Sequence, residues 1–355
     1  MIVIIPSNRT ITLENLTPLI DDGARFIIVD DPPGSITIDH PQFEVYNWND
    51  RKRMLGALDI GIPRRTGACM AFGFYIAWHD AAKDEIIITF GDDCEITDRA
   101  FPAKVREALS NRPRPLMSGT TPSFNILDAY ETVGPDLFPR GFPYSERGSY
   151  VPWTAGDAVS APSAFNLGLW TGAFDVNAVD KIRGPRWDDP DARLRHESIL
   201  VPPEPLLCVC SMNMQFRQFL LPAVYQVPMH IETMPHWVVD RYGDIWGGYV
   251  LRRLMALAGD MMSVGAPTIQ HNKVAGYEHN LWQEHVGHMI NDEFIAVMDA
   301  SLEEVQPSDY LNMMAALHDA MCRRVGTTGP MLRPYLDQML PCLEAWTQAL
   351  REPTR

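Results

Sequence analysis

The segment from Asp84 to Glu95 reads Asp-Glu-Ile-Ile-Ile-Thr-Phe-Gly-Asp-Asp-Cys-Glu, an apolar, β-branched run that ends abruptly in acids. An isolated apolar run without polar alternation predicts a buried strand, most often central and parallel. Two carboxylates, Asp92 and Asp93, follow at the point where such a strand leaves the sheet. Open α/β sheets bind ligands in the crevice at the carboxyl ends of their strands. The pair is therefore a candidate ligand site; the alternative is that the two acids only cap the turn or start the next helix.

Strands and helices alternate along the N-terminal part of the chain. Apolar runs at Ile2 to Ile5 and Phe26 to Val29 flank a short helix expected from Thr12 to Leu19, with Thr12 as its cap. The pattern also predicts a strand at Phe43 to Tyr46, a helix at Thr66 to Ala82, and a helix from Thr97 or Asp98 to Leu109. Such alternation indicates a three-layer α/β unit over residues 1 to about 120. The Gly-x-Gly-x-x-Gly fingerprint of dinucleotide-binding folds does not follow the first strand.

The later part of the chain changes in character. Residues 111 to 165 are rich in Pro, Gly and aromatic residues and predict ordered loops. A strand and turn are expected at Leu206 to Leu221 and a short strand at Val264 to His271, and from about Trp282 the pattern is helical. Ser308 is the expected cap of one helix, and Pro341 is expected to kink the last. We therefore predict a catalytic domain over residues 1–280 and a C-terminal helical region over 281–355 that serves packing or oligomerisation.

Composition restricts the classes of partner. The chain has 355 residues, 46% of them hydrophobic, and 45 acids against 30 bases give a net charge of -15. Repulsion on this scale argues against a nucleic-acid or anionic-membrane partner, and an anionic ligand would need a divalent cation or well-placed arginines. Six cysteines fit no zinc framework and are expected to be reduced. The N-terminus lacks the basic start of a signal peptide, and no apolar segment is long enough to span a bilayer, which predicts a cytoplasmic protein without membrane insertion.

Short motifs recur in a fixed order from residue 1 to about 275. They are Ile5-Pro-Ser-Asn-Arg9, Ile27-Ile-Val-Asp30, Tyr46-Asn-Trp-Asn-Asp-Arg-Lys-Arg53, Ala68-Cys69 with Phe72-Gly73, Thr89-Phe-Gly-Asp-Asp-Cys94, Arg140-Gly-Phe-Pro-Tyr-Ser, Gly168-Leu-Trp170, Met212-Asn213, Arg241-Tyr-Gly-Asp-Ile-Trp246 and His271-Asn-Lys273. Together they resemble the reversibly glycosylated polypeptides, a family of flavin-independent UDP-arabinopyranose mutases, and in particular its prokaryotic branch similar to GDP-sugar mutases. The sequence departs from the family pattern at Gly91, which replaces the first of three aspartates, and at Gly243, which replaces the first of two acids before Trp246.

The resemblance implies a GT-A-like (Rossmann-like) nucleotide-sugar-binding α/β fold with a mixed central sheet and a C-terminal helical region. It implies a metal-dependent mutase that interconverts the pyranose and furanose forms of an NDP-sugar, either a GDP-hexose such as GDP-L-galactose or a UDP-sugar such as UDP-arabinose. Mn²⁺ or Mg²⁺ would be the cofactor, without flavin, and a homo-oligomer is a further expectation. Two alternatives stay open: a self-glycosylating or retaining glycosyltransferase on the same fold, and a non-catalytic scaffold that binds nucleotide sugars.

The resemblance also suggests metal ligands. Asp93 is the main candidate, with Asp92 as a contact to ribose or metal and His271 as an additional ligand. Carboxylate oxygens suit Mg²⁺ and Mn²⁺, and Mn²⁺ also accepts an imidazole. For His271, a hydrogen-bonded histidine at a strand end is the structural alternative.

Catalytic roles fall on Arg140, Arg147 and Asp244. The two arginines match functional arginines of the family, and the first matches its site of reversible glycosylation. A guanidinium stays protonated at any working pH, so Arg140 is better suited to clamp the departing pyrophosphate than to act as a nucleophile. Asp244 is the candidate to stabilise a sugar cation, to act as general base, or both, with a helix N-cap as the alternative.

Further residues are expected to contact the nucleotide sugar. Asp30 and Asp31 would accept hydrogen bonds from base or ribose, unless they form a plain turn before the prolines that follow. Two tryptophans would stack on the sugar, although large aromatic side chains are more often core. The complete set of expected binding residues is Pro6, Arg9, Asp30, Asp31, Arg53, Asp92, Trp170, Asn213, Trp246 and Lys273.

Overall fold

In the computed structural model the apolar run Ile86–Thr89 forms a buried strand inside a large mixed sheet. The structure describes residues 1–34, 36–134, 136–184, 187–272 and 276–352. The strands in these ranges are β1 (Ile2–Ser7), β2 (Arg25–Asp30), β3 (Phe43–Tyr46), β4 (Ile86–Thr89), β5 (Cys94–Glu95), β6 (Arg112–Ser118), β7 (Ser123–Phe124), β8 (Thr154–Ala161), β9 (Ser163–Ala173), β10 (Asp188–Asp189), β11 (Ser198–Val201), β12 (Leu206–Leu207), β13 (Met214–Arg217), β14 (Ile231–Met234), β15 (Trp237–Val239) and β16 (Met261–His271). The helices are α1 (Thr17–Asp21), α2 (Trp48–Leu55), α3 (Ala71–Asp80), α4 (Phe101–Ala108), α5 (Tyr144–Arg147), α6 (Ala178–Ile182), α7 (Gly243–Ala258), α8 (Tyr277–Leu302), α9 (Tyr310–Arg324) and α10 (Leu332–Arg351).

Twelve strands form one sheet in the order β3-β2-β1-β4-β13-β9-β16-β11-β6-β8, with β10 paired to β9 and β5 to β16. β4 is parallel to β1 and antiparallel to β13, so its predicted central place is confirmed while only one neighbour is parallel. β13 is antiparallel to β9 as well, and β9 is parallel to β16. β1, β4, β9 and β16 therefore point in the same direction. A mixed α/β sheet of this kind with surrounding helices is a GT-A-like, Rossmann-type architecture, as expected.

Close packing of α3 fixes the N-terminal half of the sheet. Residues 71 to 77 of this helix are all buried, in keeping with the predicted helix at Thr66 to Ala82. A Cβ on Gly73 would lie 2.4 Å from the Ile4 side chain, so glycine lets the helix approach β1. β1 and β4 are apolar apart from their last residues, Ser7 and Thr89, and are buried on both faces, which explains why neither shows polar alternation.

Some predicted boundaries are wrong. Residues 111 to 165, expected as loops, contain β6, β8 and the start of β9. β8 lies at the end of the sheet and is almost entirely exposed, so its side chains show no apolar periodicity. Thr12 makes no side-chain cap, α4 starts at Phe101 rather than at Thr97 or Asp98, and the cap of α9 is Asp309, whose side chain accepts the Asn312 N–H at 2.9 Å.

The C-terminal helices pack against the α/β part of the chain. Trp346 on α10 stacks on Tyr225, with ring centroids 5.2 Å apart, and its Nε1 donates to the Pro222 carbonyl at 3.0 Å. α10 continues through Pro341. α8 starts at Tyr277, so the predicted boundary at residue 280 falls inside a helix, and the role of this region in oligomerisation stays a prediction.

Two further sequence predictions concern cysteines and membranes. All six cysteines are free thiols, as expected for a reduced chain, and Cys69, Cys94, Cys208 and Cys210 are buried. Among the described helices, none has the length and apolar character needed to cross a membrane.

Candidate functional site

The four co-directional strands end around one polar cavity. Its volume is about 340 Å³. Six of the residues predicted from sequence line it together: Pro6, Asp92, Asp93, Arg140, Asp244 and His271. Pro6 belongs to β1, the Asp pair follows β4, and His271 ends β16, so the sheet topology brings these distant positions to one edge. The predicted location of the ligand site at the strand ends thus matches the cavity.

Arg140 is the centre of a buried ion-pair cluster. Its Nε and Nη2 donate to the two carboxylate oxygens of Asp175 at 3.0 and 2.8 Å. Its Nη1 and Nη2 donate to the two oxygens of Asp244 at 3.1 and 3.0 Å, and Nη1 also donates to the carbonyl of Arg241. A guanidinium has five N–H donors, and these contacts use all of them.

Electrostatics favours the charged forms of Arg140 and Asp175. Burial would lower the pKa of Arg140, but the charges of Asp175 and Asp244 outweigh burial and raise the pKa well above its ordinary value. Burial alone would raise the pKa of Asp175, and the Arg140 guanidinium reverses this and holds that pKa below its usual range. Arg140 is therefore a fixed cation between two fixed carboxylates. The expectation that it clamps the pyrophosphate is corrected in this structure, because no N–H remains for a phosphate.

Asp244 lies at the start of α7 with its carboxylate beside the cavity. The helix begins at Gly243, so Asp244 is in the first turn and is not the N-cap, which is Tyr242. A negative charge in this position is favoured by the helix dipole. The Ser211 N–H approaches Asp244 Oδ2 at 3.4 Å. Arg140 and the first turn of α7 thus hold the Asp244 carboxylate in place at the cavity wall.

His271 and Asp93 form the candidate metal pair. Nδ1 of His271 lies 2.5 Å from the Ala173 carbonyl, which requires a proton on Nδ1, so that a neutral imidazole here would carry its lone pair on Nε2. Nε2 lies 3.5 Å from Asp93 Oδ2. β16 pairs His271 with Cys94, and this register places the imidazole beside the Asp93 carboxylate. One carboxylate oxygen and one imidazole nitrogen are a donor set that Mn²⁺ accepts.

Asp92 is oriented differently from Asp93. Its Oδ2 accepts from Ser7 Oγ at 2.7 Å and from Arg9 Nε at 2.9 Å. The Arg9 side chain is more than half exposed, and its hydrogen bond to Asp92 raises its pKa. Arg9 is therefore tied to the cavity rim by the carboxylate that was expected to be a second metal ligand.

One group of three donors with metal-like spacing occurs among the described residues, and it consists of Asp175, Cys210 and Asp244. The Arg140 guanidinium already joins both of its carboxylates. Burial also raises the pKa of the Cys210 thiol well above its ordinary value. In this structure the two carboxylates of the group are therefore used in an ion-pair cluster with Arg140.

Several expected binding residues belong to the protein interior. Trp170 and Trp246 are 0% exposed, and the Trp246 ring stacks on Phe294 at 4.4 Å, so neither tryptophan has a face for a sugar. Asn213 is also 0% exposed and donates to the carbonyls of Leu169 and Pro267 at 3.1 and 2.9 Å. These three predictions are corrected: the side chains serve the core.

Other expected residues lie away from the cavity wall. Asp30 and Asp31 are buried at the end of β2, where they accept the backbone N–H groups of Gly34 and Arg65 at 2.7 and 3.0 Å. The turn alternative therefore describes Asp30, whereas Asp31 joins the end of β2 to the segment before α3. Arg53 is exposed on α2 and pairs with Asp50 at 2.9 Å, as a solvated helix would predict.

Arg147 is likewise outside the cavity lining. Its Nη1 lies 2.9 Å from Asp180 Oδ2, and its guanidinium lies 4.0 Å from the ring centroid of Tyr144. Its catalytic role stays a prediction. Lys273, also expected to bind the substrate, lies outside the described residues.

Four charged cavity residues were given no role from the sequence: Asp175, Lys181, Asp240 and Arg241. Asp175 follows β9, an apolar run that ends in an acid, which is the same signal that singled out Asp92 and Asp93. That signal was available in the sequence. Asp240 follows β15 in the same way. Lys181 has no local signature, and Arg241, although it belongs to the Arg241-Tyr-Gly-Asp-Ile-Trp246 motif, has a position that depends on how the chain before α7 docks on the sheet.

Fold and site together define an α/β protein of the GT-A-like class with an acidic cavity at its strand ends. The family model described as "Reversibly glycosylated polypeptide" matches residues 1–351, and the chain belongs to this family. It is 27% identical over 353 residues to "Probable UDP-arabinopyranose mutase 1" of Pisum sativum, covering 98% of this chain and 90% of the relative. It is 27% identical over 360 residues to "UDP-arabinopyranose mutase 1" of Arabidopsis thaliana, covering 99% of this chain and 93% of the relative. The protein of the same name in Oryza sativa subsp. japonica is 26% identical over 352 residues, covering 98% of this chain and 90% of the relative.

Proposed function

We propose that this chain is a nucleotide-sugar mutase that interconverts the pyranose and furanose forms of a UDP-linked sugar, with a divalent cation and without flavin. The observation that supports this most directly is the Asp244 carboxylate, held by both terminal nitrogens of Arg140 at the wall of a cavity at the strand ends. The names of the relatives support a UDP-sugar over the GDP-hexose alternative.

The proposed reaction balances without any redox change. The bond between the anomeric carbon and the phosphate oxygen breaks, and its electron pair leaves on the diphosphate. A second sugar hydroxyl attacks the anomeric carbon and gives up its proton. The original ring C–O bond then breaks, its oxygen takes a proton, and the phosphate oxygen attacks the anomeric carbon again.

Asp244 is suited to two parts of this sequence. Its negative charge stabilises the cation that develops at the anomeric carbon, and its oxygens take the proton from one hydroxyl and return it to the other. Arg140 is a positioning residue in this scheme, since it holds both oxygens of Asp244. Preorganised charge of this kind needs little reorganisation when the transition state forms.

The charge of the cavity argues for a cation. Its described lining includes five carboxylates and three basic side chains: Asp92, Asp93, Asp175, Asp240 and Asp244 against Arg140, Lys181 and Arg241. A diphosphate would add further negative charge. Asp93 and His271 would hold Mn²⁺ or Mg²⁺, which when bound neutralises charge on the diphosphate.

The assay follows the sugar itself. Purified protein is incubated with UDP-arabinopyranose and Mn²⁺, and the products are separated by chromatography, with Asp244→Asn as the inactive control and a GDP-linked hexose in parallel. Conversion to the furanose without release of free UDP supports the mutase. Release of UDP with transfer of the sugar to protein or another acceptor contradicts it and indicates a glycosyltransferase. Conversion of the GDP-hexose alone would contradict the assignment to UDP-sugars.

A further inference from the structure

Arg241 differs from Arg140 in how its guanidinium is used. Arg241 lines the cavity, and its Nε donates to Glu284 Oε1 at 3.0 Å. Within the described part of the chain, its two terminal amino groups have no hydrogen-bond partner. A guanidinium held by Nε at one edge presents its remaining N–H groups in a fixed plane, which matches the oxygens of a phosphate.

Glu284 is a fully buried carboxylate on α8, with an exposure of 0%. Oε1 accepts from Arg241, and Oε2 accepts the N–H of Ala178, the first residue of α6, at 2.8 Å. Burial alone would raise the pKa of Glu284, but hydrogen bonding to His288 and the charge of Arg241 lower it overall. One carboxylate therefore joins the C-terminal helical region to two elements of the cavity wall.

The contacts of Glu284 bring two basic residues to the same side of the cavity. α6, whose first N–H it accepts, also includes Lys181, another lining residue. Both Lys181 and Arg241 are close enough to Asp175 for their charges to lower its pKa. Arg241 also has a left-handed backbone, with φ of 62°, and its carbonyl accepts from Arg140. The backbone of Arg241 is thus held by Arg140 and its side chain by Glu284. Loss of Glu284 would free the side chain alone.

We infer that Arg241 and Lys181 form a subsite for the diphosphate of the substrate and that Glu284 is the positioning residue that orients Arg241 toward it. The subsite deepens the proposed function and rests on it for the identity of the whole ligand. It replaces Arg140, whose donors are all used, as the source of arginine contacts to phosphate.

The experiment measures binding and not turnover. The dissociation constants of inorganic pyrophosphate and of UDP are determined by calorimetry for the wild-type protein and for Glu284→Gln, Arg241→Gln and the double variant. The matched control is Glu293→Gln, on the same helix, where Oε1 accepts the Gly329 N–H at 2.6 Å and the residue does not line the cavity. Circular dichroism and thermal unfolding identify variants that fail to fold.

We expect Glu284→Gln and Arg241→Gln each to weaken pyrophosphate and UDP binding about tenfold or more, while Glu293→Gln stays close to wild type. Because Glu284 acts through Arg241, the double variant should bind no more weakly than Arg241→Gln alone. If Glu284→Gln does not fold, Glu284→Asp is measured in its place, with a smaller weakening expected. Additive effects, wild-type affinity in Glu284→Gln, or no pyrophosphate binding by the wild type would each overturn the subsite.

These outcomes are separate from those of the conversion assay. If the Glu284 and Arg241 variants weaken pyrophosphate binding non-additively but the wild type converts no sugar, the mutase is contradicted and the diphosphate subsite is supported. Conversion by the wild type together with unchanged pyrophosphate binding in Glu284→Gln would contradict the subsite alone.

Discussion

The guanidinium of Arg140 and the carboxylate of Asp244 meet edge to edge, with Nη1 3.1 Å from Oδ1 and Nη2 3.0 Å from Oδ2. Asp175 occupies another edge of the same guanidinium in the same bidentate way. Arg140 therefore fixes the position of the carboxylate nearest the proposed chemistry, and it does so from a site that is itself buried.

Replacement of Arg140 should abolish turnover even when the charge is kept. Arg140→Ala leaves two buried carboxylates without their cation. Arg140→Lys supplies a single nitrogen, which cannot join both carboxylates in a planar, bidentate arrangement. We expect the rate of sugar interconversion to fall by about a hundredfold or more in both variants. Full activity in Arg140→Lys would show that charge alone suffices and that the bidentate geometry is not required.

Stability at acid pH should depend on Asp175. The pKa of Asp175 in the folded protein lies below its ordinary value of 3.8. The ionised carboxylate therefore makes its full contribution to the free energy of unfolding above pH 3.8, and this contribution is lost as the pH falls through the folded pKa. Asp175→Asn should lower the free energy of unfolding at neutral pH by roughly 3 kcal/mol. It should also show a smaller further loss below about pH 4 than the wild type. Denaturant unfolding over this pH range is the measurement, with exposed Asp157→Asn as control; parallel pH profiles for Asp175→Asn and wild type would refute the expectation.

Substitutions of the two acids that follow β4 should differ in their effect on metal affinity. Asp93→Asn and His271→Ala are each expected to weaken Mn²⁺ binding by about tenfold or more in a calorimetric titration. Asp92→Asn should retain most of the affinity, because its carboxylate is engaged by Ser7 and Arg9. Loss of Mn²⁺ binding in Asp92→Asn with normal binding in His271→Ala would place the metal elsewhere.

Replacing Gly91 by the aspartate of the family pattern should raise neither the stability of the protein nor its affinity for Mn²⁺. A Cβ there would lie 3.0 Å from both Asp93 Oδ1 and Cys94 Sγ and 3.3 Å from Met212 Cβ. We expect Gly91→Asp to destabilise the fold by about 1–3 kcal/mol and to disturb Asp93. Gly148→Ala is the control, since its Cβ would meet nothing within 4 Å. Unchanged thermal stability with tighter Mn²⁺ binding in Gly91→Asp would contradict this prediction.

Local sequence predicted those parts of the fold that depend on local apolar pattern. β1, β2 and β4 are continuous apolar runs, and the acids after β4 identified one side of the cavity. β8 could not be found in this way, because an exposed strand at the end of a sheet has no apolar face. Its pairing with β6 is a long-range contact that no local pattern encodes.

The site was predicted in part from acids that follow a strand and in part from the family resemblance. Asp93, His271 and Asp244 lie at the cavity, but sequence motifs gave no information on burial, and so Trp170 and Trp246 were expected at the sugar although both belong to the core. Glu284 lies in a helix expected only to pack. Its importance depends on a salt bridge to Arg241 across a long sequence separation, which only the folded chain reveals.

Positional isotope exchange tests the proposed chemistry most directly. UDP-arabinopyranose labelled with ¹⁸O in the bond between the anomeric carbon and the β-phosphate is incubated with enzyme and Mn²⁺, and the recovered nucleotide sugar is analysed by ³¹P NMR. Cleavage and re-formation of that bond should move the label into non-bridging phosphate positions with wild-type protein but not with Asp244→Asn. Conversion of pyranose to furanose with the label still in the bridging position would contradict the mechanism.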